Sequence, residues 1–291
     1  MSLPRLSVII VNHNGKRHLE KCLHSLTGGV AAERAEIIVV DNDSTDGSRE
    51  WIKERFPGVR LIPLRENMGF SRANNAGLKE SRGDLILFLN PDTVVKENDL
   101  AGLIETMKNP VVGAAGPLLY GEKHIFQVSF GGRRTFLREL FQKLILNPCR
   151  RISIGRIKKP KMVVWVSGAC LCVRREVVEA VGDFDERFFL YFEDIDLCYR
   201  IGKANWKIVL NPDVRIFHAG GTSTGAQPLK SRYYYRKSQI YFYRKHNGLF
   251  SCRMLKLYLA VVFIPLWMGG FRDRENLRLR KSFFSLLSEK E

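Results

Sequence analysis

Short apolar runs alternate with stretches in which apolar residues recur every three or four positions, and this alternation repeats through the first third of the chain. Leu6 to Val11 reads as a first strand, stopped by Asn12-His13-Asn14-Gly15. A helix should follow, because Leu19, Cys22, Leu23 and Leu26 fall on one helical face. Ile37 to Val40 makes a second strand ending on Asp41, after which Ser44 or Thr45 can cap a helix running through Trp51 and Phe56. Val59 to Leu64 is a third strand, and Gly69 to Glu80 a helix with Phe70, Ala73, Ala76 and Gly77 on its close-packing side. The run Leu85-Ile86-Leu87-Phe88-Leu89, cut off by Asn90-Pro91-Asp92, is a strand covered on both faces. Its helix is expected over Asn98 to Lys108, with Leu100, Leu103, Ile104 and Met107 inward. Successive strand–helix units of this kind predict an α/β fold: a doubly wound, mostly parallel sheet with right-handed crossovers and a Rossmann-like first half.

The rhythm then breaks. Between about Glu122 and Lys161 a helical stripe of Phe136, Leu137, Leu140, Phe141, Leu144 and Ile145 runs among Arg133, Arg134, Arg138 and Lys143. Strand character returns from Val163 to Val173, helix from Arg174 to Val181, and Phe188 to Ile201 carries a dense acidic motif. From Lys230 the chain is rich in Tyr, Arg and Lys and ends in an apolar run, Leu257 to Phe271, broken by Pro265 and flanked by arginines. That run is shorter than the roughly 20 residues a spanning helix needs. It suits an in-plane, interfacial helix, or a C-terminal helix packed on the domain.

Charge sharpens this division. The 291 residues carry a net charge of +17, yet residues 1–120 are neutral and residues 161–229 carry −1. Residues 121–160 carry +8 and residues 230–291 carry +10, so the basic surface is an addition to a neutral fold. Six cysteines, Cys22, Cys149, Cys170, Cys172, Cys198 and Cys252, form no Cys-x-x-Cys pair, and no secretory leader is expected before the first strand. Reduced thiols in a cytosolic protein are expected, with Cys170 and Cys172 sharing one strand face in the core.

Each early strand ends in a polar cluster: Asn12-His13-Asn14, Asp41-Asn42-Asp43, Asn67, and Asn90-Pro91-Asp92. In a doubly wound sheet such ends converge on one crevice. Short amides and carboxylates there can meet the edge of a pyrimidine base and ribose hydroxyls. Asp92 is placed to hold a divalent cation, although Asn-Pro-Asp is also an ordinary turn sequence. Glu193-Asp194-Ile195-Asp196 opens a helix, where acids partner the dipole, but Glu193 and Asp194 follow the apolar Phe189-Leu190-Tyr191-Phe192. Desolvation there raises proton affinity, as a general base requires.

Taken in order, Val8-Ile9-Ile10-Val11-Asn12-His13-Asn14, Asp41-Asn42-Asp43-Ser44-Thr45-Asp46-Gly47, Asn67-Met68-Gly69-Phe70-Ser71-Arg72-Ala73-Asn74-Asn75-Ala76-Gly77, Asn90-Pro91-Asp92 and Phe192-Glu193-Asp194-Ile195-Asp196 resemble the signature of family 2 glycosyltransferases with the GT-A fold, in their rhamnosyltransferase-like branch. The resemblance spans roughly residues 5–225. It implies transfer of one sugar from a nucleotide-sugar donor, of dTDP-rhamnose or UDP-hexose type, to a hydroxyl with inversion. It assigns nucleotide-sugar binding to Asn12, Asp41, Asn74, Asn90 and Asp92, to which the strand-end clusters add Asn14 and Asn67, and a Mn²⁺ or Mg²⁺ ion to Asp92 with His218. Asp194 becomes the catalytic base, with Glu193 as fallback. Independently of the resemblance, Gly168 and Ala169, close to Trp165, are small enough for a sugar pocket against the sheet, and tight packing explains them equally well. Asn90 stands where the family pattern has a first acid.

The domain plan that follows is residues 1–229 as the catalytic domain and 230–291 as a basic helical extension. Within the former, 1–120 is the nucleotide-sugar half, 121–160 a basic insertion and 161–229 the acceptor half. Gln-x-x-Arg-Trp and multiple spans, found in processive relatives, are absent, which favours single-sugar addition. The basic segments fit a glycan or polyprenyl-linked acceptor at an anionic membrane surface, with the protein peripheral on its cytoplasmic face. Besides a non-catalytic glycosyltransferase-like scaffold, two rival readings compete. A nucleic-acid-binding protein would use Tyr233, Tyr234, Tyr235, Tyr241 and Tyr243, but leaves the strand-end acids unexplained. A nucleotidyltransferase would want a Gly-rich basic loop where Asn12-His13-Asn14-Gly15 stands.

Overall fold

A computed structural model describes residues 5–27, 35–141, 154, 157–220, 228–268, 282–283 and 285–287. In chain order the elements are β1 (Leu6–Asn12), α1 (Lys16–Thr27), β2 (Ala35–Asp41), α2 (Ser48–Arg55), β3 (Arg60–Pro63), α3 (Gly69–Glu80), β4 (Leu85–Leu89), β5 (Thr93–Val94), α4 (Glu97–Met107), β6 (Val112–Tyr120), β7 (Phe130–Gly131), α5 (Phe136–Phe141), β8 (Lys161–Val163), β9 (Trp165–Val166), β10 (Cys170–Arg174), α6 (Arg175–Val181), α7 (Glu193–Lys203), β11 (Lys207–His218), α8 (Pro228–His246) and α9 (Gly248–Met268). They fall into two compact units. The first is Met1–Arg133, Pro148–Phe189 and Glu193–Ser223; the second is Arg134–Asn147, Leu190–Phe192 and Thr224–Glu291.

The first unit is built on a sheet ordered β3-β2-β1-β4-β10-β6-β11-β5, with β8 against β11. β3, β2, β1 and β4 run parallel, as the strand–helix alternation predicts, and β10 enters antiparallel between β4 and β6. β1 and β4 are buried throughout, which is why both read as unbroken apolar runs. Leu19, Cys22, Leu23 and Leu26 close one face of the sheet, and Cys170 and Cys172 sit in that same core cluster, as their spacing suggested. The five described cysteines are buried thiols, and burial pushes those of Cys22, Cys172 and Cys198 up to about 12. Cys149 lies outside the described residues.

Several local expectations need correcting. The second helix starts at Ser48 rather than just after Ser44, because Gly47 adopts a left-handed conformation (φ 74°) and Asp46 accepts from the Ser48 backbone N–H at 3.1 Å. The strand read over Val163 to Val173 is three strands, interrupted by a turn at Ser167 to Ala169. Pro265, read as a break, lies within α9 near its end, where the missing N–H removes one backbone hydrogen bond. Lys143, Leu144 and Ile145 of the amphipathic stripe, and Gly269 to Phe271 of the apolar run, lie outside the described residues.

The second unit joins parts of both basic segments. Arg134 pairs with Glu139 at 3.2 Å, the other Glu139 oxygen accepts from Gln239 at 2.8 Å, and Gln239 accepts from Arg236 at 2.6 Å. The Tyr235 ring packs edge-on against Phe192 and Tyr191. Among the described residues no helix is long and apolar enough to cross a membrane.

Candidate active site

Backbone register brings the strand-end residues together. Asn12 and Asp41 are paired at the ends of β1 and β2, and β10 runs back beside β4 with Cys170 opposite Leu89. The Asn90 N–H therefore donates to the Ala169 carbonyl at 3.0 Å. Asn90-Pro91-Asp92 does form the turn its sequence suggests, with Thr93 N–H on the Asn90 carbonyl at 3.3 Å. That turn feeds a two-residue strand rather than a helix. β5 pairs antiparallel with the end of β11, His218 opposite Thr93, which sets the imidazole beside Asp92.

The result is one connected cluster. His218 Nε2 lies 3.3 Å from Asp92 Oδ1 and 3.2 Å from Asn90 Nδ2, while Asp92 Oδ2 accepts from the Gly220 N–H at 3.1 Å. From Asn90 the contacts continue through Ala169 to Gly168, whose N–H donates to Asp194 Oδ2 at 2.8 Å. Asp194 Oδ1 accepts from the Ile195 N–H at 2.8 Å, at the start of α7. A β-carbon on Gly168 would stand 3.1 Å from that of Asp194, so glycine is what lets the carboxylate approach the turn. Asp92 and Asp194, 102 positions apart in the sequence, thus stand on one network of strand-end contacts.

Glu193 is 6% exposed, and its Oε2 has no partner. Burial, reinforced by the charges of Asp194 and Asp196, pushes its carboxyl well above the usual range. Asp196 serves the fold: it pairs with Arg200 at 2.9 Å, and Arg200 also holds the carbonyls of Val181, Gly182 and Asp183. Immediately before Glu193, Tyr191 and Phe192 both have positive φ (71° and 69°). Two such residues in succession cost on the order of 1–3 kcal/mol each.

The residues expected from the sequence to bind the nucleotide interlock. Asn12 Nδ2 contacts Ser48 Oγ at 3.0 Å, Ser44 Oγ at 3.1 Å and Asp41 Oδ2 at 3.3 Å, leaving Asn12 Oδ1 buried without a partner. Asp41 also pairs with Arg49. Burial alone would raise its pKa, but hydrogen bonds from Ser44 and the Arg49 guanidinium override it and hold the carboxyl below the ordinary range. Asn14, exposed and in a left-handed conformation, accepts from Thr45 N–H at 2.7 Å. Asn67 is held by Asn42, whose Nδ2 donates to it at 3.0 Å. Asn74 is buried on α3 and donates to the Phe70 carbonyl, so its amide serves its own helix. Trp165, on β9, is buried with its indole against Gly131.

Asn12, Asn14 and Asp41 form one group; Asn90, Asp92, His218, Ala169, Gly168 and Asp194 form another. Arg49, Ser48 and Gln127 were missed, since none stands at a strand end or in a recognisable spacing; Asn42 stands in the cluster after β2 and was not singled out. Gln127 accepts from His218 Nδ1 at 2.7 Å and donates to the His218 carbonyl at 2.8 Å.

A divalent cation fits this donor set. Gln127 Nε2 donates to a carbonyl, so its Oε1 is the atom facing Nδ1, and the ring carries its proton there. With Nε2 unprotonated, its lone pair and Asp92 Oδ1, 3.3 Å apart, offer a cation two donor atoms. Among the described residues no three His, Cys, Asp or Glu side chains gather into a full metal shell. The protein would supply an imidazole and a carboxylate, leaving other positions for diphosphate oxygens and water, as Mg²⁺ and Mn²⁺ sites usually do.

Residues 7–182 match the family model described as Glycosyl transferase family 2. The N-acetylglucosaminyl-diphospho-decaprenol L-rhamnosyltransferase of Mycobacterium tuberculosis is 33% identical over 269 residues, covering 84% of this chain and 85% of that protein. The rhamnosyltransferase WbbL of Escherichia coli is 28% identical over 226 residues, covering 72% and 82%. Among solved structures, the mannosyltransferase PcManGT of Pyrobaculum calidifontis, in complex with GDP-Man and Mn²⁺, superposes with a TM-score of 0.62 at 17% identity, covering 100% of this chain and 89% of that one. Sequence and fold agree: the chain belongs to glycosyltransferase family 2, in its rhamnosyltransferase-like branch.

Proposed function

We propose that the protein is an inverting, divalent-cation-dependent transferase that moves one rhamnose or hexose from a nucleotide-sugar to a hydroxyl of a polyprenyl-diphosphate-linked glycan. The contact path from Asp92 through His218, Asn90, Ala169 and Gly168 to Asp194 is the observation that carries this reading. Asp194 takes the acceptor hydroxyl proton as the oxygen forms its bond to the anomeric carbon, and the bond to the donor diphosphate breaks on the opposite face. Asp92 and His218 would hold the cation, which when bound would offset the charge of the departing diphosphate. Asn12, Asn14 and Asp41 form the nucleotide side, and Trp165, Gly168 and Ala169 the sugar side. The decaprenol-linked substrate named for the mycobacterial relative supports the acceptor class.

Membrane association belongs to the same reading. In the second unit Leu137 and Phe141 of α5 and Phe250, Leu257 and Val261 of α9 are exposed, with Arg138 and Arg253 among them. Apolar and cationic groups together favour an anionic lipid surface, by about 1 kcal/mol per basic residue. The protein would act at the inner face of the membrane.

Transfer from dTDP-rhamnose or a UDP-hexose to an N-acetylglucosaminyl-diphospho-polyprenol should stop in EDTA and return with Mn²⁺. Full turnover in EDTA would remove the cation from the mechanism. Sedimentation with phosphatidylglycerol vesicles should fall at least severalfold for Phe250→Asp with Leu257→Asp, a change of the size expected for removing about two buried apolar side chains. Unchanged sedimentation would refute the membrane face.

A further inference from the structure

We propose that Gln127 is a positioning residue for the cation site, fixing the His218 ring in the one tautomer and orientation that turns Nε2 toward Asp92. The proposal rests on the cation reading above and adds to it a residue from outside the strand-end clusters.

A histidine ring can carry its proton on either nitrogen, and only the unprotonated nitrogen binds a metal. Gln127 removes this ambiguity with two hydrogen bonds to one residue. Its Nε2 donates to the His218 carbonyl at 2.8 Å, and that bond orients the amide. Its Oε1 then faces Nδ1 at 2.7 Å and accepts the ring proton there. The lone pair is left on Nε2, 3.3 Å from Asp92 Oδ1, where Asn90 Nδ2 at 3.2 Å is a neutral donor that a cation would displace.

The surrounding backbone is shaped to deliver this amide. The Gln127 N–H donates to the Leu119 carbonyl at 2.8 Å, and the Gly121 N–H to the Ile125 carbonyl at 2.9 Å, closing a tight loop between them. Inside the loop Lys123 and His124 both adopt positive φ, 54° and 55°, conformations that persist only where the chain around them holds them. Two glycines leave room for the side chain. A β-carbon at Gly121 would stand 2.9 Å from Gln127 Nε2, and one at Gly220 would stand 3.2 Å from it.

Two measurements separate this role from general support of the fold. With ring-¹⁵N histidine labelling, and the His218 signals assigned by their loss in His218→Ala, the wild type should show the Nδ1–H tautomer. Gln127→Leu should shift His218 toward the Nε2–H form, and Gln127→Glu, which keeps the acceptor, should retain Nδ1–H. Mn²⁺ affinity in the presence of UDP, read from the EPR signal of free Mn²⁺, should fall roughly 10- to 100-fold in Gln127→Leu and recover in Gln127→Glu. His218→Ala serves as the reference for the cation reading itself. If His218→Ala weakens Mn²⁺ binding while Gln127→Leu binds as the wild type and keeps its tautomer, the role of Gln127 is overturned and the cation reading stands. If His218→Ala binds Mn²⁺ as tightly as the wild type, the cation reading fails and takes this proposal with it.

Discussion

Asp41 and Glu193 are both buried carboxylates in the first unit, yet the structure pushes them toward opposite charge states. Asp41 is fully enclosed, but Ser44, Ser48, Asn12 and Arg49 converge on its two oxygens, and its proton affinity is lowered. Glu193 is almost as enclosed, has one oxygen without a partner and two acidic neighbours, and its proton affinity is raised. Burial is common to both, so the groups placed around each acid decide its charge. The surroundings of Asp41 are an assembled, internally neutralised frame. The α7 side concentrates acid where the proposed chemistry needs a proton acceptor.

The largest test of this contrast is Asp194→Asn. It should cut single-turnover transfer about 10²- to 10⁴-fold, the usual range for a general base, while leaving nucleotide-sugar affinity by calorimetry unchanged. Transfer at the wild-type rate would exclude Asp194 as the base. Next in size is Arg49→Met, which strands the Asp41 charge in the core. Urea unfolding should report a loss of about 3 kcal/mol, toward the lower end for a broken buried pair because Arg49 is itself 27% exposed. A loss below about 1 kcal/mol would mean that the serines and Asn12 suffice without Arg49. The acid limb carries a second signature. A lowered carboxylate pKa contributes stability above its unfolded value of about 3.9, and that stability is lost as pH falls through the folded value. Arg49→Met should flatten this loss.

Much of this frame was legible in the sequence, because a two-sided parallel sheet writes its strands as unbroken apolar runs and its strand ends as polar stops. Leu85 to Leu89 and the acid at Asp92 are the clearest case. The pairing of Asp92 with His218 was not legible from spacing, since it depends on β5, a strand two residues long, adding to the end of β11. Gln127 was invisible for a related reason: its position follows from a loop whose left-handed residues, Lys123 and His124, are not glycines. The start of α2 was misplaced because the Ser44 hydroxyl is engaged by Asn12 and the Asn14 N–H, a long-range choice that local propensity does not encode.

A smaller effect probes the spacing of the α7 side. In Gly168→Ala the added carbon would stand 3.1 Å from Asp194 Cβ and 3.5 Å from Oδ2, so the carboxylate must retreat by a few tenths of an ångström. Since a misplacement of about 1 Å can cost around 100-fold, a fall in kcat of roughly tenfold or less is expected. Donor KM should hold. A change confined to KM would assign Gly168 to substrate contact instead of to the placement of Asp194.

The smallest expected effect is on stability, in Glu193→Gln, and its sign is the informative part. For a carboxyl whose folded pKa lies above its unfolded value, the folded state binds more protons between the two, so stability falls as pH rises through that window. Near neutral pH the wild type therefore carries a penalty for Glu193, and the neutral glutamine removes it. Glu193→Gln should raise Tm by roughly 2–4 °C at pH 7 if about 1 kcal/mol is recovered. The gain should vanish below the unfolded value of about 4.3, where Glu193 is protonated in both states. A variant less stable than wild type at pH 7 would mean that Glu193 is ionised and well served by its surroundings, which would align it with Asp41 and dissolve the contrast between the two acids.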